Sequence, residues 1–195
     1  LDLPAIKQAL RTIIDRHEVL RTIIVEGNGQ GYQYVKAIDD WDMETVDGQK
    51  YRNDAIELQN FVQAIINEPF DLAKEYMLRA RLVNFAAEAH ILVVTLHHIA
   101  SDGWSASIIV KELVEIFKAF LERREINLSP LPIQYADFAI WQRDYLQGEL
   151  LENKLNFWKH HLGSLTPLQL PTDFARPPIQ NKKGSGKRFL IHKDL

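Results

Sequence analysis

Ile91-Leu92-Val93-Val94-Thr95-Leu96-His97-His98-Ile99-Ala100-Ser101-Asp102-Gly103-Trp104-Ser105 runs from an apolar, β-branched segment through two adjacent histidines to an Asp-Gly step. The apolar run reads as a buried strand, predicted over His90 to His98. Successive side chains of a strand point to opposite faces of its sheet. Leu92, Val94, Leu96 and His98 share one face, and Ile91, Val93, Thr95 and His97 share the other. Both sets are largely apolar, so the strand is expected inside a sheet with cover on each side. One histidine then packs into structure while the other looks into an opening. After Asp102-Gly103 an amphipathic helix follows, Trp104 to Leu121, burying Ile109, Leu113, Ile116, Phe117 and Phe120.

Outward from this stretch the chain alternates between helical and strand patterns. Asp2 is placed to cap a helix reaching about Arg16, with Pro4 in its first turn and Ile6, Leu10, Ile13, Ile14 and His17 in one stripe. A hairpin is expected next, Arg21 to Val25 and Gly31 to Lys36, turning at Gly27-Asn28-Gly29. Ala55 to Asn67 reads as a helix stopped by Pro69. Met77 to Phe85 alternates, with Leu78, Ala80 and Leu82 opposite Arg79 and Arg81. Ser129-Pro130-Leu131-Pro132 breaks the chain before two more helices, Tyr135 to Leu146 and Leu150 to Leu162. Leu151, Leu155, Trp158 and Leu162 make one stripe of the last. From Thr166 the composition shifts toward a linker, with a short strand or the start of another unit at Arg188 to His192.

The 195 residues are 46% hydrophobic, enough for one substantial core. A net charge of −3 implies no basic face, so nucleic acid is not an expected partner. Cysteine is absent, which removes thiol catalysis, thiolate metal sites and disulfides together. No apolar run approaches the roughly 20 residues of a membrane span, and a cytoplasmic setting without membrane partners is expected. The chain begins Leu-Asp-Leu-Pro with no signal-peptide pattern, and it reads as a piece of a longer polypeptide.

His98 is the chemical candidate. An imidazole exchanges protons near neutrality, the strand end exposes it, and Gly103 lets a ligand approach the backbone. The helix N-terminus beside it suits an oxyanion. The competing reading is a pair of packed core histidines. His160-His161 is a second such pair, read as a solvated helix end because neither a strand nor an Asp-Gly step flanks it. His97, His98 and Asp102 are suitable metal-ligand types, but adjacent strand residues diverge, so no metal is expected. Asp102 calls for a cation, and Arg16 or Arg21 is the expected partner unless both lie on the surface. Tyr135, Phe138, Trp141 and Tyr145 read as core at helical spacing rather than as a ligand site. Lys182, Lys183, Lys187 and Arg188 read as a solvated loop.

Several separated blocks, in order, resemble the condensation domains of nonribosomal peptide synthetases. They are Arg16-His-Glu-Val-Leu-Arg-Thr22, Phe70-Asp71-Leu72 with Met77 to Ala80, and His97-His-Ile-Ala-Ser-Asp-Gly-Trp-Ser105, which is similar to the family signature HHxxxDG. Leu131 to Ala139 with Trp141-Gln142, then Phe157-Trp158 and Leu170 to Asp173, continue the series. The resemblance implies an α/β (α+β) fold like chloramphenicol acetyltransferase, with a mixed central sheet flanked by helices. It implies joining an acyl or peptidyl thioester to an amine, each carried on a phosphopantetheine arm of a carrier protein, beside adjacent synthetase domains. No intrinsic cofactor is implied.

Within the family pattern His98 acts at the amine. His97, Asp102 and Gly103 shape the loop, and one of Arg16 and Arg21, by preference Arg16, pairs with Asp102. Trp104 and Ser105 are candidates for lining the channel. His97 argues against heterocyclisation relatives, which carry Asp there. Trp104-Ser105 and the Leu131 to Ala139 block favour condensation over epimerisation. Residues 1–163 are expected to be the N-terminal subdomain, lacking its first motif, and residues 164–195 the crossover toward a C-terminal subdomain. The family channel runs between two halves, so the 195 residues alone are expected to be inactive.

Overall fold

The computed structural model describes residues 2–86, 88–166, 168–175, 178–179 and 189–190. The basic tract Lys182, Lys183, Lys187 and Arg188 lies outside them, as does the strand expected over Arg188 to His192 apart from Phe189 and Leu190, which are irregular and exposed. The chain divides into two units, residues 1–146 and 147–195.

In the first unit, helix α1 (Leu3–Arg16) starts on Asp2, whose carboxylate accepts from the Ala5 amide at 2.9 Å. Its stripe Ala9, Leu10, Ile13 and Ile14 is fully buried. A 3-10 turn over Glu18–Arg21 leads into β1 (Thr22–Gly27), which pairs antiparallel with β2 (Gln30–Val35). Asn28 and Gly29 take φ of 53° and 72°, the twist a two-residue hairpin turn requires. Strand β3 (Glu44–Asp47) and helix α2 (Ala55–Asn67) follow, the helix capped by Asp54. Then come β4 (Leu78–Ala86) and β5 (Ala89–Leu96).

These last three strands form one mixed sheet in the order β3-β4-β5, β3 parallel to β4 and β4 antiparallel to β5. Helix α3 (Gly103–Glu122) crosses behind it. One sheet face, with Leu78, Ala80, Leu82, Leu92, Val94 and Leu96, packs against Leu10, Ile13, Ile109 and Ile116 of α1 and α3. The other, with Val83, Phe85, Ile91 and Val93, packs against Ile65 and Phe61 of α2. Helices thus cover both faces of β5, as the apolar run requires, but the strand lies at the edge of this sheet rather than inside it, and of its side chains only Val93 is buried. Helix α4 (Tyr135–Tyr145) completes this unit.

Two further expectations need correction, and one strand had not been expected. β5 ends at Leu96 rather than His98. The His97 amide still donates to Met77 O at 2.9 Å, but a turn over His98–Ala100 then takes the chain out of the sheet. β3 had no sequence signal: it is four residues long, mostly exposed and polar. The aromatic stripe of α4 is not core, since Tyr135, Phe138, Trp141 and Tyr145 are all exposed. Helix α4 buries none of its side chains.

The second unit contains α5 (Gly148–Leu162). Leu155, Trp158 and Leu162 of its stripe are exposed within it, and His160 and His161 are solvated in its last turn, as expected of that pair. Among the described residues no helix is long and apolar enough to cross a membrane.

Candidate active site

The end of β5 delivers the two histidines into different surroundings. His97 is half-buried, and its ring meets Phe70 edge-on at 5.5 Å. On another side of Phe70 the Arg79 guanidinium sits 3.9 Å from the ring centre, a cation–π contact. Arg79 is held in turn by Pro69 O at 2.6 Å and by the Glu75 carboxylate. His97 also ties the turn together. Its Nδ1 accepts from the Ile99 amide at 3.0 Å, and its carbonyl accepts from the Ala100 amide and the Ser101 hydroxyl.

His98, by contrast, is exposed and borders a cavity of about 480 Å³. Three segments make its wall: His17 and Val19 after α1, the His98–Asp102 turn with Ser105, and Leu131 to Phe138. The third wall is stitched to the first by Gln134. Its Nε2 donates to Arg16 O at 3.0 Å and its Oε1 accepts from the Glu18 amide at 3.1 Å. Arg16 adds a second stitch, donating from Nη2 to Ser129 O at 2.6 Å. Of the two suggested channel residues, Ser105 lines the cavity, while Trp104 is 82% exposed and is not part of that lining.

Asp102 does not pair with either arginine. Its Oδ1 accepts from the amides of Trp104 and Ser105 and from the Ser105 hydroxyl, while its own amide donates back to Ser105 Oγ. It is the N-cap of α3 in a reciprocal capping box. The Ser105 amide, then its hydroxyl, then the Trp104 amide and the nearby His98 hold its carboxyl below the usual carboxylate range. At an exposed position a hydrogen-bonded carboxylate needs no counter-ion. The expected oxyanion role of this helix end is corrected too, because the amides of Trp104 and Ser105 already donate to Asp102. Gly103 has open space where a Cβ would stand, so packing does not require a glycine there.

The arginines find other acceptors. Arg16 Nε donates to Glu112 Oε1 at 3.2 Å. Arg21 donates to Lys36 O at 2.7 Å and Glu18 Oε1 at 3.4 Å, with its Nε buried and unpartnered. Glu112 of α3 is only 7% exposed, and its second oxygen lies 2.6 Å from His17 Nε2. Sequence reasoning missed this carboxylate. The available signal was an acid between Ile109 and Ile116 on the apolar side of α3, where a charge must find a partner. Among the described residues no group of three His, Asp or Glu side chains could hold a metal ion.

The comparisons agree with this architecture. The condensation-domain profile matches residues 1–195. One of the linear gramicidin synthase proteins of Brevibacillus parabrevis is 38% identical over 200 residues, which cover all of this chain and 4% of that protein. The beauvericin nonribosomal cyclodepsipeptide synthetase of Beauveria bassiana is 37% identical, over 92% of this chain and 6% of its own length. The chain thus spans a small fraction of its curated relatives. Among solved structures, the X-domain in complex with OxyB from teicoplanin biosynthesis superposes with a TM-score of 0.79 at 30% identity, covering 92% of this chain and 39% of that one. The epimerization domain from the third module of tyrocidine synthetase B shares the fold, with a TM-score of 0.75 at 22% identity over 90% of this chain and 40% of that one. With the profile spanning every residue, the chain belongs to the condensation-domain family.

Proposed function

We propose that this chain forms part of a condensation domain that joins a carrier-bound acyl or peptidyl thioester to a carrier-bound aminoacyl amine, with His98 as its catalytic residue. The amine nitrogen attacks the thioester carbonyl carbon. A C–N bond forms, the C–S bond breaks, and the amine gives up a proton while the departing sulfur gains one. The observation that carries this reading is the exposed His98 imidazole on the wall of a 480 Å³ cavity, in a chain whose relatives are peptide synthetases. A thioester is already activated, so alignment of the amine and one proton acceptor are the main things the protein must supply. The partners are donor and acceptor carrier proteins with their phosphopantetheine arms, together with adjacent synthetase domains. Residues 1–163 are the N-terminal subdomain in this reading, and residues 164–195 lead toward a C-terminal one.

A docking module without catalysis is the second reading, favoured by the likeness to an X-domain whose solved complex holds OxyB. One experiment separates the two. In the complete parent domain, His98→Ala is expected to lower peptide formation at least about 100-fold between two loaded carrier proteins, with an unchanged melting temperature. Turnover at the wild-type rate rejects the catalytic reading.

A further inference from the structure

His17 closes α1, and its Nε2 lies 2.6 Å from Glu112 Oε2. The other oxygen of Glu112 is taken by the Arg16 guanidinium, so this carboxylate is an acceptor on both sides. The contact with His17 therefore places a proton on Nε2, and in the neutral ring it leaves the Nδ1 lone pair to accept. Nδ1 has no protein partner among the described residues, where Arg21 Nε is the buried side-chain polar atom without one. Nδ1 thus reaches solvent. The two spaces that His17 borders both adjoin the His98 loop: the 480 Å³ cavity, and a smaller one of about 100 Å³ that includes Ala100 and Ser105. Gln134 and Ser105, on the same wall, spend their polar groups on neighbouring protein atoms.

We infer that His17 is a binding residue for the incoming amine and that Glu112 is its positioning residue, fixing the ring so that Nδ1 accepts an amine N–H in the cavity shared with His98. The inference rests on the condensation reading above. It assigns the two imidazoles different tasks: His98 meets the proton that leaves, while His17 holds an N–H that stays and orients the nitrogen lone pair toward the thioester.

The test is His17→Gln in the complete domain. A glutamine amide can still donate to Glu112 but offers nothing at the place of Nδ1. The KM for the aminoacyl carrier protein is expected to rise about 3- to 10-fold, the loss of one hydrogen bond, with the donor KM and the melting temperature unchanged. An equal rise for both substrates, or none, overturns the inference. If the variant does not fold, ¹⁵N NMR of His17 in the wild-type domain decides. An Nε2-protonated ring whose Nδ1 resonance moves on adding aminoacyl-pantetheine supports it, and an Nδ1-protonated or indifferent ring overturns it. Full activity of His98→Ala would sink the condensation reading itself. Loss there beside a neutral His17→Gln would sink only the task given to His17.

Discussion

Asp102 stands four residues after His98, and the first turn of α3 takes its carboxylate before any arginine can. The cap is a local arrangement, closed within three residues through Trp104 and Ser105. Asparagine caps about as well as aspartate, and alanine does not. Asp102→Asn is therefore expected to melt like the wild type, and Asp102→Ala about 2–4 °C lower, as followed by circular dichroism. Equal losses in both would show that the charge matters rather than the cap. The Asp-Gly-Trp-Ser string made the helix start legible. The partner of Arg16 was not legible, because Glu112 lies 96 residues away and only the packing of α1 against α3 brings them together.

Among the elements, α1, α2, α3 and the strands β4 and β5 were readable within a few residues, because each repeats an apolar pattern at its own period. β3 was not. Glu44-Thr45-Val46-Asp47 has one half-buried side chain, and it becomes a strand through parallel pairing with Arg81 to Asn84. The Arg81 guanidinium also reaches the Glu44 and Glu68 carboxylates, linking β3 to the end of α2. At the end of β3, Gly48 donates its amide to Asn84 O at 2.8 Å. A Cβ there would stand 2.5 Å from Val83 Cγ1 and 2.9 Å from Phe85 Cε1, inside the cluster that α2 covers. Gly48→Ala is expected to cost about 1–3 kcal/mol through overpacking, read as a lower urea midpoint. An unchanged midpoint would mean that Val83 and Phe85 yield without strain.

At the scale of the whole molecule, two walls of the cavity come from segments 118 residues apart, tied together by Gln134 and, through Ser129, by Arg16. Gln134 uses its donor on Arg16 O and its acceptor on the Glu18 amide, and a carboxylate could satisfy only the second. Gln134→Glu is expected to lower kcat/KM for condensation about 10-fold by loosening this wall, measured in the complete domain. Full activity would show that the Leu131 to Phe138 arm stays in place without it. By itself the sequence determined the strand-turn-helix carrying His98, the cover on both faces of β5 and the family, since periodicity and ordered motifs are properties of the chain; that β5 is an edge strand was not among them. Only the tertiary structure decided which charges meet, that the aromatic stripe of α4 stays exposed, and that His17 shares a cavity with His98. A buried carboxylate pairs with whatever cation the packing sets within reach, and no local pattern encodes that distance.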